Sequence, residues 1–119
     1  MDPRFIESGA TRYTSPIAGE LAKTLKGGAS GGASAAGGKL FYLRVCNTTA
    51  AIVSALVFDG ANTDPLLCAP IPIPANGQVE LKLITPMAFV NGLTINGSTS
   101  QVANAAAGAN SIQIDALFK

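Results

Sequence analysis

A run made only of glycine, alanine and serine, residues 27–38, divides the chain into two unlike parts. Such a run cannot bury enough apolar surface to offset the entropy lost on ordering, so it predicts a flexible tether. As a random coil it averages about 17–21 Å end to end and reaches about 40 Å when extended, which is enough to bridge to a neighbouring subunit. A fusion linker would have a similar composition. We therefore expect an N-terminal arm over 1–26, a tether over 27–38 and a folded domain over 39–119.

The arm carries the signals of a short helix at about residues 16–26. The pair Ser15-Pro16 supplies an N-cap and a proline for the first helical position, and lysines precede the glycines at the other end. Ile17, Leu21 and Leu25 recur every four residues and would form a narrow apolar stripe. Because so short a helix is marginal alone in water, we expect it to become ordered only against another surface.

Upstream of this segment the arm resembles an extended peptide. Phe5, Ile6 and Tyr13 lie among proline, glycine and threonine, a composition suited to a chain lying along a groove. The alternative is a frayed terminus, because chain termini are commonly disordered. With Ile17, Leu21 and Leu25, these residues are the arm's candidates for an interface.

The domain over 39–119 is dominated by polarity that alternates with a period of two, which predicts β-strands. No helical pattern competes with it. The strand-like segments, separated by glycine, asparagine and proline, are 41–46, 50–58, 66–73, 78–83, 93–96 and 112–118. About six or seven short strands predict an all-β fold, either an antiparallel β-sandwich or a jelly-roll-like domain, with a single barrel as the near alternative.

Prolines predict the position of one strand and its turn. Pro70, Pro72 and Pro74 share one parity, and each lacks an N–H group, so their strand is expected at a sheet edge. A three-residue loop ending at Gly77 would then pair Ile73 with the strand that follows as a hairpin.

The segment 50–58 is apolar on both parities, which an antiparallel strand with a solvated outer face should not be. If the chain turns back before it, one parity forms an outer apolar patch, and such patches usually mark interfaces. A fully buried central strand is the alternative, and the pattern does not separate the two. The patch would consist of Tyr42, Cys46, Ala51, Val53 and Ala55.

Chemical motifs are scarce. The chain has no histidine, so a Ser-His-Asp triad and a histidine-ligated metal site are excluded. Cys46 and Cys68 are too few for a structural zinc site and are expected to be thiols; one disulfide is the alternative. The segment 59–64 clusters oxygen donors but lacks the spacing of a calcium loop, so an ordinary turn is expected. We find no candidate catalytic, cofactor-binding or metal-binding residue, and expect no enzyme activity.

Charge and hydropathy exclude further classes. The net charge is +1 without clustered basic residues, so we expect no nucleic-acid partner. No apolar run approaches the ~20 residues that span a bilayer, and the first residues do not form a secretory signal. We therefore expect no membrane partner and synthesis in the cytoplasm.

Four segments carry a resemblance to a known group of proteins: 40–47 (LFYLRVCN), 54–59 (SALVFD), 70–79 (PIPIPANGQV) and 89–95 (FVNGLTI). In strand order and turn style, residues 40–119 resemble small β-sandwich virion proteins of tailed bacteriophages, and most of all a capsid decoration or cement protein. The resemblance implies a location on the capsid surface of the virion. It also implies the major capsid protein as a partner and a homo-oligomer, with a trimer favoured.

Decoration also agrees with the residues themselves, since clamping a shell needs a self-associating domain and an arm that becomes ordered on a neighbour. Two other hypotheses about function remain. One is a tail, neck or fibre accessory module that binds a host glycan or another virion protein. The other is a hydrolase that uses Asp59, Asp64 or Asp115, each of which has a simpler structural explanation.

Overall fold

The computed structural model describes residues 10–17, 19–26, 37–61, 65–99 and 111–119. These residues form eight strands and contain no helix. The strands are β1 (Thr11–Thr14), β2 (Ala22–Lys26), β3 (Gly38–Asn47), β4 (Val53–Phe58), β5 (Ile71–Ile73), β6 (Gln78–Phe89), β7 (Leu93–Ser98) and β8 (Ile112–Phe118).

The strands form two antiparallel four-stranded sheets. Sheet A has the order β1-β8-β3-β6, and sheet B has the order β2-β7-β4-β5. Successive strands alternate between the sheets, except that β4 is followed by its own neighbour β5. The prediction of an all-β, antiparallel, sandwich-like fold is therefore confirmed, with two separate sheets in place of one closed barrel.

The core lies between the inner faces of the two sheets. Leu43 and Ile114 of sheet A belong to the same buried cluster as Val57 and Ile95 of sheet B, each at most 1% exposed. Alternation along the strands directs these side chains inward, and each contributes about 1.5–3 kcal/mol by leaving water. Truncating Leu43 to alanine is expected to cost about 2–5 kcal/mol.

The helix predicted at about residues 16–26 is wrong where the structure describes it, because its second half is the strand β2. Leu21 and Leu25 pack against the core from a segment in which half-buried and exposed residues alternate. Residues four positions apart share a face in a helix and also in a strand, so their spacing could not distinguish the two. The segment forms a strand because pairing with β7 satisfies the hydrogen-bonding capacity of backbone groups on both segments.

The described part of the arm belongs to the sandwich. β1 pairs with β8 at the edge of sheet A, and β2 pairs with β7 at the edge of sheet B. Polar contacts anchor the connection between them. The Tyr13 hydroxyl donates to Glu20 (2.5 Å), and Ser15 Oγ accepts from the backbone N–H of Ile114 (2.7 Å). The arm thus supplies one outer strand to each sheet.

The proline-rich strand is at an edge, as predicted, because β5 is the last strand of sheet B. The predicted hairpin is wrong. Ile73 pairs with Val53 of β4, whereas Val79 pairs with Val45 of β3, so the chain crosses between the sheets. Asn76, at φ 55°, provides the left-handed residue of the turn, a conformation that asparagine tolerates.

The apolar strand β4 is buried on both faces, which agrees with the alternative of a buried strand and not with an outer patch. All six of its residues are buried. Val53 and Ala55 belong to the core cluster, and Leu56, of the opposite parity, is 1% exposed. Ala51 lies exposed in the turn before the strand. Val53 and Ala55 are therefore core residues of the subunit.

Candidate binding groove on sheet A

The face of sheet A turned away from sheet B carries a groove of about 760 Å³. Alternation directs every second residue of β3, β6 and β8 to this face, and β1 adds Arg12 at one side. The lining residues are Arg12, Phe41, Tyr42, Arg44, Glu80, Lys82, Leu83, Ile84, Asp115 and Leu117. Five of these side chains are charged, one is a tyrosine and four are apolar.

Asp115 is the central acidic group of the groove. It is only 4% exposed. Arg12 binds it through two bonds, Nε to Oδ1 at 3.0 Å and Nη2 to Oδ2 at 2.7 Å. Arg44 Nη2 lies 3.7 Å from Oδ2. The hydrogen bond to Asp115 raises the pKa of Arg12, which therefore stays charged.

A second cluster joins β3 to the outer strand β6. The Tyr42 hydroxyl donates to Glu80 (2.5 Å), and Lys82 Nζ lies 3.6 Å from the same carboxylate. Burial, with the hydrogen bond to Glu80 second, raises the pKa of Tyr42 to about 12. That hydrogen bond is also the main reason that the pKa of Glu80 is lowered. Near neutral pH, the groove thus presents a neutral phenol beside a charged carboxylate.

The groove contains three basic residues and two acidic residues. Arg12 lies closer to Asp115 than Arg44 does. The side chain of Arg44 is 40% exposed, and its Nε is buried without a hydrogen-bond partner. This arrangement suits recognition of a polar or acidic segment by ion pairs and hydrogen bonds.

Two of the apolar lining residues, Leu83 and Ile84, come from an irregularity in β6. The register between β3 and β6 shifts so that Leu40 pairs with Met87 but Tyr42 pairs with Lys82. Four residues of β6 (83–86) therefore lie opposite the single residue Phe41. Ile84, within this insertion, is fully exposed. Strand irregularities of this kind often redirect side chains at binding sites.

The structure does not bring the predicted interface residues together. Of the predicted interface residues, Tyr42 alone lines the groove. Tyr13 lies on the inner face of β1 and packs against the core. Ile17 is 95% exposed in the turn between β1 and β2. Phe5 and Ile6 lie outside the described residues.

Sequence reasoning missed Arg12, Arg44 and Asp115 as a cluster. Alternation already placed Arg44 and Asp115 on the polar faces of their strands. Their proximity depends on the pairing of β3 with β8, segments that lie some seventy positions apart in the chain, and no local pattern reports that pairing.

The cysteines and the acidic turn have ordinary surroundings. Cys46 and Cys68 are free thiols, and burial raises the pKa of Cys68. Asp59 Oδ1 accepts from the backbone N–H groups of Val90 and Asn91, both at 2.8 Å, and so organises the turn before β7. Residues 62–64 of the predicted turn lie outside the described residues.

Within the described ranges, the structure has no cluster of three or more potential metal-ligating side chains of the histidine, cysteine and acidic types. The same part of the chain contains no helix long and apolar enough to cross a membrane.

Comparison with known proteins found no family model, no curated protein and no solved structure that matches this chain.

Proposed function

We propose that this protein is a non-enzymatic structural protein of a virion that decorates and stabilises a bacteriophage capsid. Its β-domain, jelly-roll-like in the finer classification, associates with other copies, and its arm latches onto the capsid or a neighbouring subunit. The partner is the major capsid protein, and the resemblance of residues 40–119 implies three copies. Neither cofactor nor nucleic acid has a part in this function.

The observation that carries the proposal is the position of the arm at one edge of each sheet. An edge strand is joined to the fold along one side only, so an equivalent edge on a neighbour can accept the same segment. The proposed latch is therefore a strand and not the helix that the sequence predicted. Residues 1–9, with Phe5 and Ile6, precede β1 and would contact the capsid.

The connection between arm and domain agrees with this role. Lys26 Nζ donates to the carbonyl of Gly37 (2.8 Å), so the two ends of segment 27–36 lie close together. Ten residues can span about 33–36 Å, far more than this separation requires. The excess length would let the arm reach a second subunit, at a cost in loop entropy that grows slowly with length.

Capsids provide the direct test. Particles would be prepared from a phage that encodes the chain, with the gene deleted, and the purified full-length protein would be added back. We expect saturable binding and a higher temperature of DNA release. If the full-length chain does not bind these particles, decoration is contradicted.

A variant pair tests the latch separately. The double variant Phe5→Ser/Ile6→Ser should bind at least about tenfold more weakly, because it removes the apolar contacts proposed for the arm. The melting temperature of the variant, measured alongside, separates loss of this contact from loss of the fold. The matched control is Glu7→Gln/Ser8→Ala. Equal binding of both variants would contradict the latch but not decoration.

The groove on sheet A favours a second candidate, an accessory module of a phage tail, neck or fibre that binds a host glycan or another virion protein. Tyr42 and the ion-paired side chains could accept a polar ligand there. Saturable binding to an array of host glycans, lost in Tyr42→Ala, together with no binding to capsids, would favour this candidate.

A further inference from the structure

The free edge of β6 is the longest strand edge left open in the described part of the chain. The four outer strands are β1, β2, β5 and β6, with four, five, three and twelve residues. Prolines interrupt the β5 edge, whereas β6 has none before Pro86. The regular part of this edge, residues 78–82, is free of proline, and an open strand edge is a template for pairing with another strand.

Backbone hydrogen bonds show which groups of β6 face this edge. The N–H of Asn47 donates to the carbonyl of Gly77 (2.8 Å), on the β6 side of β3. Directions alternate along an antiparallel strand, so Val79 and Leu81 also point their backbone groups towards β3. The backbone groups of Gln78, Glu80 and Lys82 therefore point away from the sheet.

The side chains of β6 are incompletely covered. Val79, Leu81 and Leu83 pack against the core but are only half-buried, because the facing edge strand β5 is just three residues long. Glu80 and Lys82 alternate with them on the outer face, and Lys82 is 77% exposed. The edge thus combines outward hydrogen-bonding groups with an apolar row and two opposite charges.

We propose that β6 pairs antiparallel with β6 of a second copy, about a two-fold axis at Leu81. This inference rests on the self-association part of the proposed function, names its surface, and assigns two copies where the resemblance implies three. In this register, Glu80 of each copy lies opposite Lys82 of the other, and Val79 lies opposite Leu83. Leu81 meets its own equivalent, and the two sheets A become one eight-stranded sheet.

The alternating direction of the backbone groups and the charges of Glu80 and Lys82 both favour this register. Because Leu81 points its backbone groups towards β3, it forms the non-hydrogen-bonded pair on the axis, and Glu80 and Lys82 supply the hydrogen bonds between copies. Moving the axis to Glu80 or to Lys82 would place like charges directly opposite each other, which destabilises strand pairs. The occupant of the edge is therefore a second copy of this chain.

The first test is the molar mass of the full chain by sedimentation over a concentration series. We expect a reversible dimer. Lys82→Pro removes an N–H that faces the edge while leaving the bonds to β3, so its dissociation constant should rise at least about tenfold. A proline at Lys39 does not serve as a control, because it would remove the hydrogen bond from the Lys39 N–H to Lys119. Lys39→Glu is the control for the charge variants described next.

Charge reversal tests the register. Lys82→Glu places two like-charged pairs across the axis and should weaken dimerisation about tenfold, an effect that added salt reduces. The double variant Glu80→Lys/Lys82→Glu restores opposite charges and should recover dimerisation. Lys39→Glu makes the same change of charge away from the edge and should leave the dimer unchanged.

Cross-linking provides a second measurement. Leu81→Cys places two thiols across the axis, where non-hydrogen-bonded Cα atoms lie about 4.5 Å apart, within the range of a disulfide. Mild oxidation should give a covalent dimer, whereas Val90→Cys, also exposed but away from the axis, should not.

Three results would overturn the inference: a monomer at the highest soluble concentration, a trimer that Lys82→Pro leaves intact, or a dimer that Lys82→Pro and charge reversal leave intact. These results are distinct from failure of the proposed function. A monomer that still binds capsids contradicts self-association and the edge pairing but not decoration, and a dimer that does not bind capsids contradicts decoration alone.

Discussion

The ion pair between Arg12 and Asp115 should couple the arm to the C-terminal strand energetically. The two residues are 103 positions apart and are joined only if β1 pairs with β8. Asp115→Asn removes the charge but keeps the side chain's shape, and Arg12→Gln removes the other partner. A double-mutant cycle then measures the interaction between them.

The structure sets the magnitude of this coupling. Hydrogen bonds to charged groups contribute about 1.5–3 kcal/mol, whereas exposed ion pairs contribute about 0.2–1 kcal/mol. The side chain of Asp115 is 6% exposed and that of Arg12 is 45% exposed, so the pair lies between these cases. We expect a coupling of about 1.5 kcal/mol. Asp115→Asn alone should cost about 2 kcal/mol, because Arg44 also loses its nearby carboxylate.

Chemical denaturation of the four proteins, monitored by circular dichroism, gives the free energies of unfolding. The slopes of the denaturation curves must agree among them for the cycle to hold. A loss of about 2 kcal/mol corresponds to a fall in melting temperature of roughly 10 °C. A coupling within about 0.3 kcal/mol of zero would refute the reasoning, because the arm would then not be docked on β8 as the structure has it.

Three further predictions concern the tyrosines, a buried asparagine and a glycine. Burial, helped by Glu20 and by Glu80 respectively, raises the pKa of both Tyr13 and Tyr42 to about 12, so absorbance at 295 nm should show no phenolate at pH 10. The stabilisation that these two tyrosines provide is complete below pH 10 and is lost as the pH rises towards 12. Half of the full phenolate signal at pH 10 would contradict the raised pKa values. Asn47→Ala removes donors to three carbonyls and an acceptor for Thr49, and should cost about 3 kcal/mol in denaturant unfolding; a loss below 1 kcal/mol would contradict this network. Gly38→Ala would place its Cβ against the carbonyl oxygen of Lys119, so melting should fall by several degrees, and an unchanged melting temperature would show that the C-terminus gives way freely.

The sequence predicted that several residues of the candidate groove face outward, but it did not predict that they lie close together. Alternation in the strands of Arg44 and Asp115 correctly predicted which side chains face outward. No alternation of this kind identifies Arg12, because the sequence pattern of the arm predicts a separate element. Only the pairing of β1 with β8 brings its guanidinium to the carboxylate of Asp115.

The corrections have a common physical origin. Leu21 and Leu25 fit a helix and a strand equally, and the residues of β4 fit a buried strand and an exposed patch equally. In each case the outcome depends on which surface covers the segment, and that surface comes from another part of the chain.

By itself the sequence determined the local features: the period-two strands, the prolines that confine β5 to an edge, and the run of glycine, alanine and serine that follows β2. These follow from the properties of single residues and their neighbours. Tertiary structure alone decided that the arm supplies an outer strand to each sheet and that β5 and β6 lie in different sheets. It also decided that no strand among the described residues pairs with the outer edge of β6. Strand pairing joins backbone groups that are nearly identical in every residue, so the choice of partner is made by the packing of the whole sandwich.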